Sequence, residues 1–196
     1  MANYTGIAAT TAAVANRFVT TTNMIVGAYT IANASPVWQG GCLVTITHTS
    51  VTGTDTLGTI TIVGTGVDNQ PLSETITPLA DAVATSTKAF RTVTSATGAG
   101  WVINTGNDTL VIGCAAGSIA AVGSGVLYGI VVNTTAAAAI TVSDSKRTIA
   151  TLASSIANGH YLYGPGVEFA GFLRVATTST NDITVIHSGS LPASIA

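Results

Sequence analysis

The chain has 196 residues, 47% hydrophobic and 6% aromatic, with a formal net charge of -2. Charged residues make up only 7%, against about 25% in an ordinary soluble domain, so Thr, Ser and Asn do the solvating. Six Lys and Arg stand against eight Asp and Glu, and no basic cluster exists beyond Lys146 and Arg147. That pattern carries no electrostatic footprint for a nucleic acid. The apolar share rests on small, β-compatible Ala, Val and Ile, which favours thin layers of strands over helix bundles.

Residues 1–39 are rich in Ala, Thr and Asn, with scattered larger groups at Tyr4, Ile7, Phe18, Met24, Ile25, Tyr29 and Trp38. They show no sustained period and the Thr clusters oppose a long helix, so an extended N-terminal arm is expected. The first residues have neither a basic region nor an unbroken apolar run. A secretory signal is therefore not expected, and synthesis in a cytoplasm is.

From Gly40 onward the pattern is strand, turn, strand. Residues 42–48 alternate Val44 and Ile46 with Thr45 and Thr47, and residues 56–63 alternate Ile60 and Ile62 with Thr59 and Thr61. Both show the period of two that marks a half-buried strand. A Gly-rich loop at 64–71 leads into a return strand at 72–76. Further strands are expected at 89–95, 101–104 and 109–113. This makes a first small β-sandwich, jelly-roll-like, over residues 40–115.

Residues 115–125, small and punctuated by glycine, read as a linker. A second sandwich is expected over 116–196, with strands at 126–132, 139–143, 148–152, 160–163, 172–176 and 183–187. The intervening turns carry Asn, Asp, Gly and Pro, as regular all-β chains do. Residues 111–132 are long and uncharged enough to be weighed as a membrane span. Their glycines, the lack of flanking Lys or Arg, and the alternation of Val126, Tyr128, Ile130 and Val132 favour strands, and no membrane partner is expected.

The residue types that carry chemistry do not converge. A Gly-x-Ser-x-Gly elbow is absent, and His48, His160 and His187 each stand in or beside an expected strand with no acid at ligand spacing. All six aspartates fall in expected turns, where their side chains cap their own backbone. Glu74 and Glu168 lie in or near strands far apart in sequence. The loops at Asp68–Asn69 and Asn107–Asp108 lack the spacing of a calcium loop, and no phosphate-binding Gly-Lys-Ser or Gly-Lys-Thr occurs. Cys42 and Cys114 define neither a disulfide framework nor a zinc site, and read as two small core residues. No enzyme activity, cofactor or metal is expected.

Two blocks carry a resemblance. Residues 57–76, LGTITIVGTGVDNQPLSETI, followed by Thr87-Lys-Ala-Phe-Arg-Thr-Val-Thr-Ser, resemble a strand-turn-strand block of virion structural proteins of tailed bacteriophages. Val126-Leu-Tyr-Gly-Ile-Val-Val-Asn, Ala139-Ile-Thr-Val-Ser-Asp, Gly164-Pro-Gly-Val-Glu-Phe, Gly171-Phe-Leu-Arg-Val and Asp182-Ile-Thr-Val-Ile resemble another. The resemblance covers about three-quarters of the chain, outside the arm, and brings no catalytic residues with it. It implies a capsid decoration, or cement, protein. Such a protein is a homotrimer on the capsid surface of the virion that binds across neighbouring major capsid protein subunits and is assembled in the host cytoplasm. Tyr4, Arg17 and Phe18 are the expected arm contacts. The alternative is a neck, tail or fibre component that binds a receptor, with Tyr128, Tyr161 and Tyr163 as an exposed aromatic patch.

Overall fold

Short β-branched runs broken by Gly, Asn and Asp cannot support helices, and each strand needs neighbours to satisfy its backbone. The computed structural model describes residues 2–7, 13–35, 40–51, 55–104, 106–177 and 182–191. Among these residues it is all-β, with fifteen strands in three antiparallel sheets and no helix. In chain order they are β1 (Asn3–Ile7), β2 (Val14–Asn23), β3 (Gly27–Ala28), β4 (Cys42–Thr49), β5 (Thr59–Gly66), β6 (Pro71–Ile76), β7 (Val83–Ala99) and β8 (Thr109–Cys114). There follow β9 (Ser118–Val122), β10 (Gly125–Val132), β11 (Ile140–Ser143), β12 (Thr148–Leu152), β13 (Gly159–Phe169), β14 (Phe172–Thr177) and β15 (Ile183–His187).

The chain forms two compact units. In the first, β1 joins strands from the C-terminal part of the chain: one sheet runs β1-β15-β10-β13 and a second β12-β11-β14-β9. Leu127, Ile130, Val132, Ile183 and Val185 of the one, and Ile140, Val142, Leu173 and Val175 of the other, belong to a single buried cluster. The Thr5 hydroxyl on β1 donates to Ala120 O on β9, which ties the two sheets together at one side.

The second unit is a seven-stranded sheet in the order β2-β8-β4-β7-β5-β6, with β3 also on β7. Its centre is the 17-residue β7, whose first half pairs with β4 and whose second half pairs with β5; Phe90 stands opposite both Cys42 and Gly66. The side chain of Glu74 occupies part of β7 that β5 does not reach, accepting from Thr87 N, Thr87 Oγ1 and Lys88 N. Hydroxyl pairs serve where other proteins place cross-strand ion pairs: Thr61 meets Thr75 at 2.9 Å and Thr65 meets Thr92 at 2.7 Å.

Several elements depart from what the sequence suggests. Residues 1–39, read as an extended arm, supply β1 to the first unit and β2 and β3 to the second. The stretch 115–125, read as a linker, contains β9, which pairs with β14. The uncharged run at 111–132 is divided among β8, β9 and β10. Residues 101–104 form only an isolated bridge between Val102 and Thr56. Gly164-Pro-Gly, read as a turn, lies within β13, where Gly164 and Gly166 have positive φ and the β10 register shifts. Proline is accommodated there because β13 is an edge strand and needs no donor on its open side.

Candidate functional site

The inward phase of β4 runs Cys42, Val44, Ile46, His48, all buried. A histidine on that phase must find partners without water, and it does so at the end of the sheet where three connections meet. His48 Nε2 lies 3.1 Å from Asp108 Oδ2, with both side chains at most 2% exposed. His48 Nδ1 accepts from Asp81 N at 3.0 Å, so the proton sits on Nε2, which donates to the carboxylate. Asp108 Oδ1 accepts from Val51 N, Asp55 accepts from Asn104 N and Asp108 N, and Asp81 Oδ1 accepts from Ser50 N. That last bond holds the Asp81 carboxyl below the usual carboxylate range. The Trp101 ring tilts against His48 with centroids 6.0 Å apart.

Chemically this cluster is a clamp. Both imidazole nitrogens are committed, and the carboxylate oxygens face backbone N–H groups that fix the connections β4–β5, β6–β7 and β7–β8. Among the described residues no group of three or more His, Cys, Asp or Glu is arranged to hold a metal ion. Beside the clamp four apolar side chains face solvent: Val51, Leu79, Val102 and Ile103 are all at least half exposed.

The first unit offers a different surface. Register places Tyr4, Ile186, Gly129 and Leu162 in one row across β1, β15, β10 and β13. Directly opposed residues share a face, and the alternate residues Val185 and Ile130 point into the buried cluster, so this row faces outward. Tyr4 is 68% and Leu162 67% exposed. Gly129 lets the Leu162 side chain lie across β10, since a Cβ there would come within 2.8 Å of Leu162 Cδ2. The adjoining row holds Thr184, Val131 and His160, so an apolar strip spans the sheet with little charge beside it.

The sequence-derived contact residues are thus dispersed. Tyr4 belongs to the exposed row. Arg17 lies on β2 in the other unit, where its Nε donates to Ser35 O. Phe18 is fully buried in that unit's core and presents no surface to a partner. Of the tyrosines considered as a patch, Tyr161 and Tyr163 pack against the buried cluster. Tyr161 Oη donates to Ala157 O, and burial pushes the Tyr163 phenol up. The basic pair Lys146 and Arg147 flanks a turn held by Asp144, whose Oδ1 accepts from both their backbone N–H groups. Burial opposes ionisation of Asp144, but these bonds and one from Ala170 N outweigh it and keep its pKa low.

The His48–Asp108 pair is invisible to spacing rules because its members stand 60 residues apart. The available signal was phase: His48 follows Val44 and Ile46 at steps of two, on the side that must be buried. Comparison with protein-family models, with curated proteins and with solved structures found no match.

Proposed function

We propose that this chain is a structural protein of a virus particle, and specifically a decoration protein on the capsid of a tailed bacteriophage. In this reading both units are small β-sandwiches, the protein is a homotrimer, and it lies on the capsid surface across neighbouring major capsid protein subunits after assembly in the host cytoplasm. The observation that carries the reading is the outward-facing row Tyr4–Ile186–Gly129–Leu162, exposed at Tyr4 and Leu162, on a chain with only 7% charged residues. A surface of this kind is desolvated at little cost when it packs against another protein, because few charges must be offset. The resemblance of blocks within residues 57–95 and 126–186 to phage virion proteins supports the particle as the setting.

The clamped loop end favours a second reading, a neck, tail or fibre component. Rigidly held connections with exposed apolar tips are the usual geometry of a binding end on a β scaffold.

Copy number decides between them. Quantitative peptide mass spectrometry of purified particles should find the chain near parity with the major capsid protein, and shells lacking it should lose their contents at lower temperature. A dozen copies or fewer, on the order of a closed symmetric ring, would place it in the neck or tail. Absence from particles would overturn both.

A further inference from the structure

Cys42 and Cys114 lie on neighbouring strands, β4 and β8, and both are on the inward phase. Register pairs Val44 with Cys114, Ile46 with Ile112 and His48 with Leu110, so Cys42 is the diagonal neighbour of Cys114 on the same buried face. Each is no more than 2% exposed, and the two sulfurs are in contact at 2.6 Å. The pair stands as two thiols. The neighbouring bond from Ala115 N to Leu43 O continues the pairing beside them, so the two strands are held together where the sulfurs meet.

We infer that Cys42 and Cys114 form an intrachain disulfide when the protein meets an oxidising medium, covalently joining β4 to β8. The oxidant is a low-molecular-weight disulfide. One cysteine thiolate attacks a sulfur of that reagent, forming a mixed disulfide and releasing one small thiol. The second cysteine thiolate then displaces the other small thiol and leaves the S–S bond. Two protons leave the protein, and its two electrons reduce the reagent to two thiols. Because the folded pair is closed from solvent, exchange occurs while the strands are open, during folding or local unfolding.

The test is refolding of the full chain from denaturant in a buffer of oxidised and reduced glutathione, followed by alkylation under denaturing conditions and intact mass measurement. The oxidised product should be about 2 Da lighter than the dithiol, take up no alkylating reagent, and yield a cross-linked peptide pair joining Cys42 to Cys114. The cross-link closes a sequence separation of 72 residues, so the oxidised chain should melt about 5 °C or more above the same sample treated with reductant. Cys42→Ser and Cys114→Ser should each abolish the mass loss and the reductant-sensitive shift. Refolded protein that retains two alkylatable thiols, or that carries glutathione on either cysteine without closing the bond, overturns the inference.

Discussion

His48 donates from Nε2 to Asp108 across 3.1 Å in a site closed to water, while its other ring nitrogen accepts from the backbone of Asp81. The pair therefore joins three connections of one sheet through a single imidazole, and its loss is felt at all of them. Asp108→Ala leaves the buried His48 Nε2–H without its acceptor and takes away the acceptor of Val51 N. Removing the charged acceptor of a neutral buried N–H donor should cost about 1.5–3 kcal/mol, read as a lower urea midpoint for the second unit. A loss below about 1 kcal/mol would mean that water reaches the site and satisfies both donors.

The close approach of β5 to β7 rests on a missing side chain. A Cβ on Gly64 would lie 1.8 Å from Thr92 O, where the register shifts beside Val63. Gly64→Ala must push the strands apart and should destabilise by more than about 2 kcal/mol. Amide exchange should quicken along residues 59–66 and 90–99. Unchanged protection there would show that the two strands do not approach as described.

The first unit should weaken in mild acid through His187. Its ring is buried, with Nε2 2.8 Å from Thr5 Oγ1 and an edge contact to Phe169. Burial pushes its pKa below the ordinary 6.5, against a smaller opposing effect of Gly189. The unfolded chain then takes up a proton near pH 6.5 and the folded chain only at lower pH. Stability from this group is complete above about pH 6.5 and falls as pH drops from there to the folded pKa. Thermal melts of the wild type between pH 7.5 and 5 should show that slope, and His187→Leu should flatten it. Thr5 Oγ1 also donates to Ala120 O, so losing the imidazole does not leave that hydroxyl without a partner. An identical slope in the variant would assign the effect elsewhere.

The exposed row should matter for assembly and little for folding. Tyr4→Glu and Leu162→Glu alter side chains that are about two-thirds exposed, so each should change stability by no more than about 0.5 kcal/mol. On the proposed function, together they place two charges on a strip that docking would desolvate, and binding to shells should fall at least tenfold in a co-sedimentation assay. Undiminished binding would exclude this face as the docking surface.

How far the sequence discloses this structure depends on whether a strand has one wet face. β4 and β5 alternate Ile or Val with Thr, and their positions could be read directly. β9, Ser-Ile-Ala-Ala-Val, is almost wholly buried and so has no alternation to read. β1 is short and its partner β15 lies at the other end of the chain, so nothing local distinguishes it from an arm. On sequence alone Phe18 reads as an anchor on that arm because a large ring among Ala and Thr stands out; the same isolation is what a core residue of an edge strand looks like. Tyr4 is exposed, but its row with Ile186, Gly129 and Leu162 exists only once the register of four strands is fixed. The His48–Asp108 clamp required two strand ends to meet, and composition is silent on which ends do.

The pairing of Asn3 with His187 has a consequence for the order in which the protein is made. The strand that begins the first unit must wait for one of the last strands to leave the ribosome, whereas every strand of the second unit has appeared once Cys114 is synthesised. Translation thus completes the second unit first, while β1 is held unpaired. At about 5–20 residues per second, the delay lasts several seconds, during which the short sequence Asn-Tyr-Thr-Gly-Ile is an open edge available to any passing strand. Its brevity and its glycine limit that hazard, and pairing with β15 ends it.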